Sequence, residues 1–105
     1  MAKYLLLYHG GNQPESEEAG KEVTAQWMKW FESIGPSVVD GGNPTGASKT
    51  IAPGGTVTDG AGAQPATGYS VLSADSLDAA VKLAKGCPHL KARGTIAVYE
   101  TVDVM

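Results

Sequence analysis

Four side chains in this sequence have the chemistry needed for acid–base catalysis: two histidines, one aspartate and one tyrosine. They are His9, His89, Asp59 and Tyr69. Imidazole titrates close to neutral pH and can act as a general base, a carboxylate can orient it, and a phenol can donate to a developing oxyanion. Because these residues are far apart in the sequence, they can act together only if the fold brings them to one place.

Some of the same residues define a metal-site hypothesis, with His9, His89 and either Asp40 or Asp59 as ligands. No motif with metal-ligand spacing supports it, so we predict no metal and no other cofactor. Cys87 is the only cysteine. It follows the predicted end of a helix and lacks the helix N-terminus or fixed cation that lowers a thiol pKa, so a buried or inert thiol is favoured over a nucleophile.

Four basic residues gather near the predicted end of the second helix. They are Lys82, Lys85, Lys91 and Arg93. Cations at this end of a helix complement its dipole, and this is the favoured interpretation. The alternative is that they attract an anionic small molecule.

Length and composition limit the class of protein. The chain has 105 residues, enough for one domain, and its 42% apolar and 18% charged content is typical of globular proteins. A net charge of -3 without a basic stripe argues against a nucleic-acid partner. The apolar run from Tyr4 to Tyr8 is too short for a signal-peptide core or a membrane span, so we expect a cytoplasmic protein that does not bind membranes.

The first half of the chain predicts a strand, a helix and a second strand. Alternating side chains from Lys3 to His9 indicate a strand that is apolar on both faces. Ser16 can cap a helix whose apolar and aromatic positions keep a 3.6-residue period up to Ile34, and Gly35 and Pro36 end it. This aromatic stripe is predicted to face the core. Ser37 to Asp40 begins a bulged or broken second strand.

The second half repeats this order. Tyr69 to Ser73 predicts a strand, and Asp75 or Ser76 can cap a helix with an apolar face from Leu77 to Ala84. Gly86 can close that helix in the left-handed conformation, and Pro88 prevents its continuation. Gly94 then opens a last strand that extends to Val102.

Between the halves lies a glycine- and proline-rich excursion, residues 41–67. Within it, Lys49 to Ala52 and Thr56 to Thr58 are short β-favouring runs, and Gly54-Gly55 and Asp59-Gly60 are predicted turns. The whole chain, 1–105, is therefore one domain with an irregular middle segment.

The element order β-α-β-β-α-β predicts an α+β, ferredoxin-like fold, with an antiparallel sheet and both helices on one face. Leu5, Leu7 and Val71 then make the opposite face apolar, so we expect a homodimer through the sheet face. In this topology the C-terminal end of the first strand lies beside the start of the third and fourth. His9, Asp59, Tyr69, Cys87 and His89 are predicted to meet at that end.

Several stretches resemble, in this order, the YCII-related or DGPF family of small dimeric α/β-barrel proteins. They are YLLLYHGG, SIGPSVVDGG, TVTDG and GYSVLSADSLDAAVKLAKGCPH. The resemblance covers nearly the whole chain and implies a ferredoxin-like fold and a dimeric α/β barrel, but little about chemistry.

This chain departs from the family pattern at two places. The Asp-Gly-Pro-Phe signature reads Asp59-Gly60-Ala61-Gly62 here. A narrower branch of the family carries a suspected His and Asp catalytic pair at positions that resemble Gln26 and Cys87 of this chain. That pair is therefore not transferred.

Two functional hypotheses follow. The first is a homodimer that binds a small organic ligand in a cleft between sheet and helix, with acid–base chemistry by His9, His89, Asp59 and Tyr69. The alternative is a noncatalytic dimeric interaction or accessory module. An apolar pocket within reach of the histidines would favour the first, and a filled interior would favour the second.

Overall fold

The computed structural model describes residues 2–104 of the chain. Its elements are β1 (Ala2–Gly10), α1 (Glu17–Ile34), β2 (Val38–Asp40), β3 (Lys49–Ile51), β4 (Val57–Asp59), β5 (Ala66–Ala74), α2 (Leu77–Ala84) and β6 (Gly94–Glu100). Short 3-10 turns follow each helix, at Gly35–Ser37 and Pro88–Leu90. No helix within the described residues combines the length and apolarity needed to cross a membrane.

The main sheet has the strand order β2-β5-β1-β6, and every neighbouring pair is antiparallel. This is the predicted ferredoxin-like arrangement, which is therefore confirmed. The predicted irregularity of the second strand is also present, as a register shift between Val38 and Asp40. The two short β-favouring runs of the middle segment pair only with each other, as the hairpin β3-β4.

Both helices begin at a serine cap. Ser16 Oγ accepts a hydrogen bond from the Ala19 N–H at 3.1 Å, and Ser76 Oγ accepts one from the Ala79 N–H at 3.0 Å. Each bond satisfies one of the backbone donors that a helix start leaves without an intrahelical partner. Of the two predicted caps for α2, Ser76 rather than Asp75 is the one used.

The end of α2 corrects one prediction. Gly86 is not among the glycines with positive φ, so it does not close the helix in the left-handed conformation. A Cβ placed there would lie 3.4 Å from both Cδ1 and Nε1 of Trp30. The absence of a side chain at Gly86 leaves room for the indole. β6 likewise ends at Glu100 rather than at Val102.

The alternation of β1 separates a buried face from a half-exposed one. Tyr4, Leu6 and Tyr8 are buried against the helices. Residues at the intervening positions face the other way and are only partly covered. We call this second surface the open face, and it comprises Leu5, Leu7, Tyr69, Val71, Ala97 and Tyr99.

The β3-β4 hairpin lies outside the core, and every residue from 43 to 59 is exposed. Ile51 pairs with Val57 across the hairpin, and these side chains are 71% and 53% exposed. An isolated two-stranded hairpin is at most marginally stable in water. The Ile51–Val57 pair is therefore an exposed apolar contact, separate from the open face, that this chain does not cover.

Trp30 links α1 to α2. Its indole is buried, and its Nε1–H donates to the Leu83 carbonyl oxygen at 3.1 Å. Trp30→Ala is expected to lower the free energy of unfolding by about 3–5 kcal/mol, because it opens a cavity. Met28→Ala on the same helix removes a side chain that is 65% exposed and should change that free energy by less than about 0.5 kcal/mol. Urea unfolding measures both, and equal effects would contradict this packing.

Candidate functional site

A cleft of about 660 Å³ opens at the end of the sheet where β1 finishes. Its walls come from four parts of the chain, namely the segment after β1, one side of α1, the segment after β2 and the turn after α2. The lining residues in these parts fall within 10–13, 23–31, 41–44 and 88–92. Tyr8, Thr67, Gly68 and Tyr69 contribute from the sheet. The cleft therefore lies between sheet and helix, where the first functional hypothesis expected one.

The phenol of Tyr8 belongs both to the cleft and to the core. Its hydroxyl donates to Ser70 Oγ at 2.7 Å, and Ser70 Oγ donates to the Gly41 carbonyl oxygen at 2.7 Å. Burial raises the pKa of Tyr8 far above its usual range, because a buried phenolate would lose its hydration. The neutral phenol therefore acts as a structural link between β1, β5 and the wall that begins at Gly41.

Aromatic rings form the apolar part of the cleft. Trp27 meets Tyr8 edge-on, with 5.2 Å between ring centroids, and lies 5.9 Å from Phe31. The Tyr8 ring is also 5.2 Å from the imidazole of His89. Flat aromatic walls of this kind suit a planar apolar body.

His89 is the most constrained titratable group in the cleft. Its Nε2–H donates to the His9 carbonyl oxygen at 2.9 Å, and since a carbonyl can only accept, the neutral ring must carry its proton on Nε2. The lone pair then lies on Nδ1. No group within residues 2–104 forms a hydrogen bond with Nδ1, so this nitrogen is free to accept a proton.

Two glycines make room for the His89 ring. A Cβ at Gly11 would lie 2.8 Å from the ring Cε1, and a Cβ at Gly94 would overlap the ring around Nε2. Gly11 also has φ +96, a conformation that side chains disfavour. The imidazole is thus held between two stretches of backbone, and this restricts its orientation.

Cys87 lies next to His89 and is buried. Burial raises the pKa of its thiol to about 11 and outweighs the lowering effect of the hydrogen bonds involving the His89 backbone and Tyr8. The thiol is therefore neutral near physiological pH. The predicted buried thiol is confirmed.

In the Asp40-Gly41-Gly42 run, position 42 can accommodate only glycine. Its φ is +75, and a Cβ there would overlap the Tyr69 carbonyl oxygen. Asp40 Oδ1 accepts a hydrogen bond from the Gly42 N–H at 2.8 Å, and this bond stabilises the turn. The wall after β2 can approach β5 closely only because residue 42 is glycine.

The structure brings together some of the predicted catalytic residues. His89 and Tyr69 line the cleft. His9 contributes its carbonyl to His89, but its side chain is not part of the lining, and its Nδ1 donates to the Pro65 carbonyl at 3.3 Å. Asp59 does not join the cleft of its own chain. Its exposed carboxylate pairs with Lys49 Nζ at 2.6 Å on the hairpin.

Tyr8 and Trp27 are among the contributors to the cleft that sequence reasoning missed. Tyr8 was recognised only as a strand residue, although its place next to His9 at the end of the strand was a usable signal. Trp27 was assigned to the core with the rest of the aromatic stripe, whereas it both packs against the core and lines the cleft.

The arrangement offers no evident metal centre. Within residues 2–104 no group of three or more His, Cys, Asp or Glu side chains could hold a metal ion. Besides the Tyr8 phenol, the polar side chains of the cleft include the amides of Asn12, Gln13, Gln26 and Asn43, the hydroxyls of Thr24 and Thr67, the imidazole of His89 and the ammonium of Lys91. Such groups favour hydrogen bonding and proton transfer with an organic ligand.

Fold and site together define a ferredoxin-like α+β domain with a cleft between sheet and helix. Residues 3–105 match the family profile of the YCII-related domain. The chain therefore belongs to the YCII-related family, as the resemblance predicted. No curated protein matches the sequence at a significant level.

A solved structure with a similar fold is that of a 5-chloro-2-hydroxyhydroquinone dehydrochlorinase, TftG, from Burkholderia phenoliruptrix AC1100, in complex with 2,5-dihydroxybenzoquinone. The two chains share 18% sequence identity, 93% of each is covered, and the TM-score is 0.54. At this level of identity the likeness shows the fold.

Gly94→Ala is expected to displace the His89 ring and to lower the free energy of unfolding by about 1–3 kcal/mol, because the new methyl overlaps the imidazole. His89→Ala in the same chain should recover most of this loss, and a double-mutant cycle measures the coupling. Gly54→Ala is the control, since a Cβ there has nothing within 4 Å. Additive effects of Gly94→Ala and His89→Ala would contradict the contact.

Proposed function

We propose that this protein binds a small planar organic ligand in the cleft and that His89 exchanges a proton with it. One observation carries the proposal: the Nε2–H of His89 is bound to the His9 carbonyl, which leaves Nδ1 as the basic nitrogen on a cleft of about 660 Å³. This volume lies within the range of about 300–1,000 Å³ that small-molecule sites occupy.

In the proposed reaction step, Nδ1 of His89 accepts a proton from the ligand and the ring becomes an imidazolium. The Nε2–H bond to the His9 carbonyl then becomes charge-assisted and stronger, which favours the protonated ring at the moment it forms. His9 therefore acts through its backbone. Returning the proton to another atom of the ligand would complete an isomerisation.

Tyr69 lines part of the cleft, but its side chain lies on the open face, where it pairs with Leu7. The proposal therefore assigns no step to its phenol. The proposal assigns no step to the side chains of His9 and Asp59, since neither lines the cleft of its own chain.

The comparison with TftG supports a ring-shaped ligand. That enzyme acts on a hydroxyhydroquinone and was crystallised with 2,5-dihydroxybenzoquinone. The aromatic walls formed by Tyr8, Trp27 and Phe31 suit a ligand of similar size and flatness. The particular reaction is not carried over from TftG to this chain.

Titration with 2,5-dihydroxybenzoquinone, followed by NMR, tests the proposal. We expect the Trp27 indole N–H and the His89 ring to shift, and His89→Asn to weaken binding about tenfold, since it removes the basic nitrogen from the cleft. His9→Asn is the matched control and should keep wild-type affinity, because its side chain is outside the cleft. Binding that ignores His89, or shifts confined to another surface, would overturn the proposal.

We also propose that the protein is a homodimer in which the open face is covered by a second copy. Two helices cover one side of the sheet, and the apolar open face and the exposed hairpin remain uncovered in a single chain. A two-fold axis places the same patch against itself, so one symmetric contact could cover both surfaces. Stable interfaces bury about 800 Å² per partner, and a four-stranded sheet face with a hairpin beside it is of that order.

Tyr99→Glu tests the dimer, because Tyr99 is 52% exposed and lies on the open face opposite Leu5. A charge buried in the contact should raise the dimer dissociation constant by about tenfold or more. Leu77→Glu on α2, where Leu77 is 41% exposed, is the control and should leave assembly unchanged. Light scattering during size-exclusion chromatography measures both. A wild-type monomer at micromolar concentration would refute this contact.

A further inference from the structure

We propose that the cleft selects planar ring compounds that carry a single negative charge, and that Lys91 determines this preference. The inference rests on the proposed ligand binding in the cleft and adds the chemical class of the ligand. Aromatic acids, phenolates and cyclic enolates belong to this class.

The charge distribution around the cleft is the first observation. The chain has 11 acidic and 8 basic residues and a net charge of -3. Within residues 2–104, however, no Asp or Glu lines the cleft, and Lys91 is the one Lys or Arg that does. A protein with excess negative charge therefore has a cleft whose fixed charge is positive.

The charge of Lys91 is not compensated by a protein carboxylate. Lys49 and Asp59 form the one ion pair within the described residues, and they lie on the hairpin. Three acids adjoin a lining residue in sequence, namely Glu22, Glu32 and Asp40. Asp40 Oδ1 accepts a hydrogen bond from the Gly42 N–H at 2.8 Å, and none of the three forms an ion pair with Lys91. The exposed ammonium is therefore available to an anionic atom of a ligand.

Lys91 and His89 share one short turn. The Lys91 N–H donates to the Pro88 carbonyl at 3.0 Å, and the Asn12 N–H donates to the Ala92 carbonyl at 2.7 Å. These bonds hold the Lys91 backbone beside the imidazole, while its long side chain remains exposed. A ligand could therefore place an anionic oxygen near Lys91 and a hydroxyl near Nδ1 of His89.

The rest of the cleft explains why one charge is preferred. The His89 ring is neutral before it accepts a proton from the ligand, and the remaining polar side chains are neutral amides, threonines, tyrosines and the Trp27 indole. A second anionic group on the ligand would find no second fixed cation and would lose hydration. The aromatic walls require the remaining ligand surface to be flat and apolar.

The experiment compares 2-hydroxybenzoate with 2-hydroxybenzamide, which have the same ring and hydroxyl but differ in charge. Dissociation constants are measured by NMR titration, with the Trp27 indole N–H as the reporter, at low and at high salt. We expect the benzoate to bind about fivefold more tightly at low salt, as is typical of one exposed charge pair. High salt should reduce this ratio.

Lys91→Met should bring the ratio to about one and leave the affinity for the benzamide unchanged. Lys85→Met is the matched control, because Lys85 is exposed at the end of α2 and does not line the cleft; it should keep the wild-type ratio.

Three outcomes decide against the inference. Equal binding of the two probes in the wild type would refute the charge preference and leave the proposed ring-binding function intact. A ratio unchanged by Lys91→Met, or lowered equally by Lys85→Met, would remove Lys91 as its cause. If neither probe shifts Trp27 or His89, the proposed ligand binding itself fails and the charge preference fails with it.

Discussion

The hydrogen bond from His89 Nε2 to the His9 carbonyl connects residues that are 80 positions apart in the chain. It joins the turn after α2 to the end of β1, and it also determines that the lone pair of the neutral ring is on Nδ1. The bond requires that the ring fit between the backbones at Gly11 and Gly94. The link between α2 and β1 and the position of the lone pair on His89 thus both depend on the placement of one imidazole ring.

The core and the cleft are built from one set of side chains. Tyr8 is buried in the main hydrophobic cluster, yet its ring lines the cleft, and its hydroxyl supports the wall at Gly41 through Ser70. Such shared use keeps the cleft rigid, because the side chains that shape it cannot move without loss of core packing. The cleft is therefore largely formed before any ligand binds, which lowers the ordering that binding would require.

The strand-helix-strand order, the serine caps and the two-faced first strand were predictable because each depends on neighbours in the sequence. Gly86 shows the limit of such reasoning. A glycine after a helix usually indicates a left-handed residue, but here it leaves space for Trp30, which comes from the other helix. Asp59 shows another limit of sequence reasoning. It lies away from the cleft because the middle segment forms a hairpin in which Asp59 pairs with Lys49. Local propensity does not specify that pairing.

The sequence by itself determined the α+β class, the strand order and the family. Hydrophobic periodicity and short motifs depend only on neighbouring residues, so they are visible in the sequence. It also identified His89 and Tyr69 as candidates. Only the tertiary structure decided that His89 lines the cleft with its lone pair on Nδ1, that His9 contributes its carbonyl rather than its ring, and that Lys91 is the cation of the cleft. Those properties arise where four distant segments meet, and contacts between distant segments depend on packing that no single stretch of sequence encodes.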